Sequence, residues 1–411
     1  MIAKISPSEI KGTINAPPSK SMAHRYIICA ALAKGRSRID NIAYSEDIKA
    51  TLDCVEALGA RVERGDNHVI IDGFDPCEGK ASVPLGVRES GSTLRFMIPI
   101  ALISGNKTEF CGKERLFARP LSVYEDIAKE QGFLFDKSEN GLSVMGRLTP
   151  GDYLIKDNKS SQFITGLLFV LPLLSGDSRI ILSEYPESKS YIDMTLEAMH
   201  DFGINAEYDG ERVFTINGNQ SYTAKNTAVE GDCSNAAFFE ALNLFGADVR
   251  VEGLREDTIQ GDAIYLDYYK KIKQGNAVLD ITNCPDLAPI LLTLLAEHGG
   301  GKLTGTRRLK FKESDRGEVM KKELAKFGAS ITCLENEITV DNTPLHIPTE
   351  PIDSNSDHRV VMSTAVLMTK YGGIINGSED CSKSMPDFFE KLSSLGANVT
   401  ISENTKERQT P

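Results

Sequence analysis

Tryptophan is absent from this 411-residue chain, and aromatic residues make up only 7% of it. Few flat rings are therefore left on which nucleic-acid bases could stack. Basic residues are in deficit, since 46 Lys and Arg against 58 Asp and Glu give a formal net charge of −12. An acidic chain is poorly suited to polyanions such as nucleic acid or an anionic membrane surface, and neither is expected as a partner. No apolar run approaches the ~18 residues of a membrane-crossing helix. The longest, Phe96–Ile103 and Leu167–Leu174, are each broken by a proline. The opening residues MIAKISPSEIKG lack the apolar core of a secretory signal, so a cytoplasmic location is expected. The eight cysteines include no CxxC pair and the six histidines no HExxH, and no Cys/His cluster has zinc spacing. Reduced, mostly buried thiols and no metal are expected.

What the chain does have is a repeat. Six amphipathic segments each end at a glycine and run into a strand: Gly59, Gly132, Gly203, Gly275, Gly328 and Gly396, at intervals of 73, 71, 72, 53 and 68 residues. A glycine after the last periodic residue closes a helix because it takes φ > 0 without strain. Strand pairs around a turn often follow, as in RVERGDNHVIIDG, FLFDKSENGLSVMG, INAEYDGERVFTING and SITCLENEITVDN. A second series of more apolar, hence more buried, helices begins near Ser21, Ser92, Ser161, Ser234, Asp286 and Asp357, at intervals of 71, 69, 73, 52 and 71. Two independent landmarks thus give one period and the same shortened fourth unit. Each unit reads as strand, buried helix, strand, amphipathic helix and two strands. Six such units divide into two domains of three, with the break in the polar stretch Asn217–Asn226. The tail after Ser402, ENTKERQTP, is polar and is expected to fray.

Lys, Arg and Ser recur at helix starts in phase with this repeat: PPSKSMAHR (17–25), ESGSTLRF (89–96), LFARPL (116–121), KSSQF (159–163), ESKSY (187–191), FKESDR (311–316), SDHR (356–359) and SKSMP (382–386). A cation at a helix N-terminus opposes the macrodipole, by ~0.3–1 kcal/mol. Taken singly, each motif is an ordinary capped, solvated helix start. The repeated placement of Lys20, Arg25, Arg95, Arg119, Arg316, Arg359 and Lys383 points to external anions, phosphate or carboxylate, bound at free backbone N–H groups. Asp286 is readable as a helix cap and Glu313 as a surface salt-bridge partner, or the two as proton carriers beside a cationic pocket. Asp232 and Asp262 lack neighbouring cations in sequence and read as caps.

In this order, PPSKSMAHR, SGSTLR, ARPL, KSSQF, ESKSYID, CPDLAPIL, KESDR, SDHR and SKSMPDFF resemble the 5-enolpyruvylshikimate-3-phosphate synthase family over about residues 12–395. The resemblance implies an α/β chain with the two-domain enolpyruvyl transferase fold, an inverse α/β barrel of three βαβαββ units with buried helices per domain. It implies one domain from residues 1–19 with 228–411 and another from 20–227, an active site in the cleft between them, and closure on binding both substrates. The implied reaction transfers the enolpyruvyl (carboxyvinyl) group of phosphoenolpyruvate to the 5-hydroxyl of shikimate 3-phosphate, through a tetrahedral ketal, with release of phosphate. The implied enzyme acts as a monomer with no cofactor.

Residue by residue, the resemblance implies that Ser21 and Arg25 hold the shikimate carboxylate, that Ser160, Ser161 and Ser188 hold its phosphate, and that Tyr191 lines the ring pocket. Lys312 and Asp286 would contact ring hydroxyls, with Asp286 accepting the 5-hydroxyl proton and Glu313 protonating the methylene carbon. Lys20 would contact both substrates, and Gln162 would lie between them. Arg119, Arg316, Arg359 and Lys383 would clamp phosphoenolpyruvate, with the Gly91 backbone against it and Arg95 and His358 behind. The chain departs from the family pattern at Glu89-Ser90 and at Arg308. Two alternatives are a UDP-N-acetylglucosamine 1-carboxyvinyltransferase and a non-catalytic anion-binding relative. The first carries Lys-Asn where this chain has Lys20-Ser21, and a reactive Cys where it has Glu114; Cys111 is out of register.

Overall fold

The apolar helices of the second series set the architecture. In the computed structural model, which describes residues 1–79, 81–156 and 160–403, they run Lys20–Leu32, Gly91–Ala101, Ser161–Val170, Cys233–Ala241, Ala288–Glu297 and His358–Tyr371. The tail expected to fray lies, from residue 404 on, outside the described residues, as does Lys159 of the KSSQF run. A helix apolar on every side must be enclosed, and these are. The exceptions are informative. In Lys20–Leu32 only Lys20 and Ser21 escape burial, in Gly91–Ala101 only Ser92, and in Ser161–Val170 only Gln162. In these three helices every residue that escapes burial lies in the first turn.

The amphipathic series also forms: Glu46–Ala57, Ser122–Gln131, Lys189–Asp201, Tyr265–Ile272, Arg316–Ala325 and Phe388–Ser394. All six closing glycines take positive φ, from 72° at Gly132 to 121° at Gly59. Three units share one sheet plan, two parallel strands followed by an antiparallel hairpin added at the edge. These are Leu85–Arg88, Thr108–Gly112, Gly141–Met145 and Leu134–Lys137; Asp152–Ile155, Ser178–Leu182, Val213–Ile216 and Glu207–Tyr208; and Ala277–Asp280, Gly301–Thr304, Glu337–Val340 and Ile331–Cys333.

The remaining units borrow strands from distant parts of the chain. Ile2–Ser6 enters the sixth unit, antiparallel to Gly373–Asn376 and Asn398–Ser402. Thr227–Ala228 lies parallel to Arg36–Asp40 in the first unit. The short fourth unit has no hairpin of its own: Asp248–Glu252 pairs only with Lys11–Asn15, and helix Tyr265–Ile272 leads directly toward the next unit's Ala277–Asp280. That missing hairpin is why both intervals shrink there. Among the described residues the strands make six separate sheets, five of four strands and one of two. None closes on itself: open sheets pack around the buried helices, the repeated α/β arrangement with buried helices expected from the sequence.

The chain divides into two compact units, Pro18–Glu230 and Met1–Pro17 with Gly231–Pro411. Each has its own apolar core. The eight cysteines are all free thiols; five are buried, Cys333 is half-buried, and Cys77 and Cys111 are exposed. No helix among the described residues is long and apolar enough to cross a membrane.

Candidate active site

In Pro18–Glu230 the polar first turns are fixed by serine caps. Ser19, Ser90 and Ser160 accept from the backbone N–H of Met22, Thr93 and Gln162 at 3.3, 3.2 and 3.3 Å. Arg95 then ties two helix starts to a loop. Its Nη1 donates to Gln162 Oε1 (3.1 Å) and its Nη2 to the Pro120 carbonyl (3.1 Å), while Gln162 Nε2 donates to Ser92 Oγ (3.0 Å). Gly91 stands at the centre of this group. A Cβ there would lie 2.7 Å from Arg119 Nη1 and 3.0 Å from Arg95 Nη1, so only glycine lets the backbone approach both cations.

A second group forms on helices Lys20–Leu32 and Lys189–Asp201. Arg25 Nε donates to Thr195 Oγ1 (2.9 Å), Nη1 to the Ser21 carbonyl (2.6 Å) and Nη2 to the Tyr191 carbonyl (2.6 Å). Burial lowers the Arg25 guanidinium to about 10. Ser188, also buried, precedes helix Lys189–Asp201 in a left-handed conformation (φ 53°). Lys20 Nζ donates to Asp47 Oδ2 at 2.9 Å, a partner with no motif around it. Behind these starts, His24 Nδ1 meets Thr51 Oγ1 (2.7 Å), Thr51 meets Thr93 (2.7 Å), and Thr93 donates to Ser90 Oγ (2.8 Å). Burial, then the Lys20 and Arg25 charges, hold His24 well below its usual value, so it is neutral.

In the other unit the charges converge on one carboxylate. Asp286 Oδ1 accepts from Lys312 Nζ (3.0 Å) and Arg316 Nη1 (2.8 Å), and Oδ2 from Arg359 Nη2 (3.0 Å). Arg316, only 1% exposed, also reaches Glu313 (2.6 Å) and Asp357 (2.9 Å). Burial alone would push Asp286 up, but Arg359, Lys312 and Arg316 outweigh it and hold the carboxyl well below its usual range. Burial likewise opposes Asp357, and the Arg316 charge overrides it downward. Asp286 therefore does not serve as a cap; it sits in the short turn Pro285–Leu287, and Glu313 pairs with a buried arginine rather than a surface one.

Two readings from the sequence change here. Lys383 does not begin a helix: it ends the 3-10 turn Ser378–Lys383, and the next helix starts at Phe388, after Pro386 interrupts the chain. Its Nζ donates to the Ser356 carbonyl (2.8 Å) and lies 3.4 Å from Asp380. Asp262 is not a cap either. It is buried in the turn Gly261–Ile264, receives the Ser234 hydroxyl, and is raised to about 6 by burial and then by the Asp286 charge, with Arg359 opposing. Asp232 does cap its helix, accepting from Asn235 N at 2.8 Å.

Asp357 is the residue that sequence reasoning passed over. It caps helix His358–Tyr371 through Arg359 N (3.0 Å) and accepts from Ser314 Oγ (3.0 Å), with buried His358 next to it. The signal was available: an Asp one residue before the helix, inside SDHR. The preceding turn has Asn355 and Ser356 at φ 49° and 56°, anchored by buried Glu323, which accepts from Asp353 N (3.0 Å) and Asn355 Nδ2 (3.2 Å).

Repeated βαβαββ units whose buried helices present polar, cation-bearing first turns define the class as an enolpyruvyl transferase fold. Solved structures share it: an EPSP synthase from Acinetobacter baumannii superposes with a TM-score of 0.78 at 22% identity, covering 97% of this chain and 100% of that one. The enolpyruvyl transferase NikO from Streptomyces tendae gives 0.74 at 14% identity, covering 97% and 98%. The sequence profile for EPSP synthase (3-phosphoshikimate 1-carboxyvinyltransferase) matches residues 5–392. A 3-phosphoshikimate 1-carboxyvinyltransferase from Clostridium novyi is 39% identical over 96% of this chain and 98% of its own length. Another from Clostridioides difficile is 36% identical over 96% and 98%. The chain belongs to the EPSP synthase family.

Proposed function

We propose that this chain is a 3-phosphoshikimate 1-carboxyvinyltransferase, a monomeric cytoplasmic enzyme of the shikimate pathway. It moves the carboxyvinyl group of phosphoenolpyruvate to the 5-hydroxyl of shikimate 3-phosphate on the way to chorismate and the aromatic amino acids. The observation that carries the reading is the convergence of Lys312, Arg316 and Arg359 on Asp286, with Glu313 on the same Arg316, in a chain that matches this family almost end to end.

In this reading Asp286 takes the 5-hydroxyl proton while the oxygen attacks C2 of phosphoenolpyruvate, and Glu313 gives a proton to C3. The product of that step is a tetrahedral ketal phosphate. Elimination then returns a methyl proton to Glu313 and breaks the C–O bond to phosphate, whose charge Lys20 neutralises. Ser21, Arg25, Ser160, Ser161, Gln162, Ser188 and Tyr191 hold shikimate 3-phosphate; Gly91, Arg119, Gln162, Arg316, Arg359 and Lys383 hold phosphoenolpyruvate. Oriented donors aimed at the developing charge supply the stabilisation this chemistry needs.

The test is phosphate release from phosphoenolpyruvate with and without shikimate 3-phosphate. Release that depends on shikimate 3-phosphate is expected, and release driven instead by UDP-N-acetylglucosamine overturns the reading. Glu313→Gln is expected to retain substrate binding while turnover falls by about 10²-fold or more. Unchanged turnover removes Glu313 from the proton-transfer role, and a wild-type chain that binds without turnover is the non-catalytic relative.

A further inference from the structure

Three cations of the second unit are each paired with carboxylates of the chain itself. Three carboxylates, Asp286, Glu313 and Asp357, are matched against Lys312, Arg316 and Arg359. Glu313 approaches Arg316 from just before its own helix, and Asp357 from the start of helix His358–Tyr371. Asp286 differs from both in bridging all three cations. One of its oxygens takes Lys312 and Arg316, and the other takes Arg359, whose Nη1 also holds the Asp286 carbonyl at 3.1 Å. Each guanidinium gives the carboxylate one charge-assisted N–H, the kind of contact a bound carboxylate or phosphate would take instead.

We infer that Asp286 is a resident counter-anion, that phosphoenolpyruvate displaces it from Arg316 and Arg359, and that this exchange converts it into an acceptor for the hydroxyl proton. The inference rests on the reading above and adds the order of events. While three cations hold Asp286 it is a feeble base, because Brønsted behaviour rewards a proton acceptor whose affinity matches the working pH. Its low proton affinity in this state follows from the same contacts. The charged groups facing it are Lys312, Arg316, Arg359 and, from the turn Gly261–Ile264, buried Asp262. Once the forks turn to a bound anion, Asp262 remains as a like charge that favours protonation of Asp286. The incoming substrate thus prepares the base, and a site without phosphoenolpyruvate leaves the shikimate hydroxyl unactivated.

The test is titration calorimetry with phosphoenolpyruvate alone and with inorganic phosphate alone, on the full chain and on Asp286→Asn. The amide keeps the shape and removes the competing charge. Phosphoenolpyruvate is expected to bind the variant about tenfold more tightly than the wild type, while substrate-driven phosphate release falls by about 10²-fold or more. Equal or weaker binding overturns the inference. If circular dichroism shows Asp286→Asn unfolded, Asp286→Ser, which also removes the competing charge, carries the test: tighter anion binding supports exchange and unchanged binding refutes it. Tightening in a chain whose wild type releases no phosphate from phosphoenolpyruvate would sink the functional reading and leave the counter-anion role standing. Normal turnover with no tightening would do the reverse.

Discussion

Removing Asp357 should uncouple the second unit's cations from the fold that aims them. Its carboxylate, fully buried, accepts from Arg316 Nε at 2.9 Å, Ser314 Oγ at 3.0 Å and Arg359 N at 3.0 Å. Replacing it by Ala loses a helix cap, about 1 kcal/mol, and the acceptor of the Ser314 hydroxyl, about 1 kcal/mol. It also strips one partner from a buried guanidinium. Breaking a buried pair outright costs about 3–5 kcal/mol, but Arg316 keeps Asp286 and Glu313, so a value near or below the lower end applies. Groups in one network do not add, and about 4 kcal/mol is a fair total. For a unit of about 150–250 residues each kcal/mol shifts Tm by roughly 2–4 °C, so Asp357→Ala should lower the melting temperature of its unit by roughly 8–16 °C.

Asp357→Asn keeps an oxygen for the cap and the serine while losing the charge, and should fall about half as far. Scanning calorimetry that resolves the two units reads both. The reasoning is refuted if Ala changes Tm by under about 2 °C, or if Asn is the more damaging variant. Acid provides a second readout. Arg316 holds the folded Asp357 carboxyl below the ordinary value of 3.8, so its contribution is fully present above pH 3.8 and is lost as pH falls through the lower, folded value. Asp357→Asn should therefore lose less stability than wild type over that acid range.

Three further outcomes follow from single contacts. Buried His24 stays neutral when folded but takes a proton near 6.5 when unfolded, so stability should fall as pH drops below 6.5, by about 1.4 kcal/mol at pH 5.5; denaturation midpoints of His24→Gln should show that much less acid sensitivity, and an identical pH profile would contradict a neutral His24. Asn355→Ala should destabilise about 1 kcal/mol more than Asn355→Gly, because the backbone there is left-handed at φ 49° and both variants lose the Glu323 hydrogen bond alike; thermal melts ranking Gly below Ala would contradict the left-handed strain. Gly91→Ala places a methyl 2.7 Å from Arg119 Nη1, so the arginine must move; the KM for phosphoenolpyruvate should rise about tenfold with Tm nearly unchanged, and an unaltered KM would take Gly91 out of that contact.

The helices and hairpins were legible because their signals are local. Six glycines at nearly constant spacing closed six helices, and the apolar runs demanded enclosure whatever surrounded them. The borrowed strands were not. Nothing in a polar strand such as KGTIN (Lys11–Asn15) states that the partner is Asp248–Glu252, more than two hundred positions away; the short fourth unit only hinted that something was missing. Cations were found at the site because they broke a rule of helix starts. Their counter-charges, Asp47, Asp357 and Asp262, broke none, since an acidic residue near a helix start is ordinary. Lys383 was misplaced because Ser-Lys-Ser reads as a cap until Pro386 is given its due.

The net charge of −12 bears on the site through folding rather than through attraction. Lys312, Arg316 and Arg359 stand close together, and buried like charges without partners cost several kcal/mol each. The chain must fold before substrate arrives, so it has to carry its own anions, and the acidic excess includes Asp286, Glu313 and Asp357 set against those cations. A site neutralised in this way cannot attract a phosphate by net local charge. An anion that meets only one of Arg316 and Arg359 leaves Asp286 held by the other, and so does not displace it. A ligand bearing both a carboxylate and a phosphate offers an anionic group to each of the two guanidiniums, and under the proposed exchange it releases Asp286 from both. On this argument selectivity for phosphoenolpyruvate over inorganic anions arises from the resident carboxylate, and should narrow in Asp286→Asn as phosphate gains more affinity than phosphoenolpyruvate does.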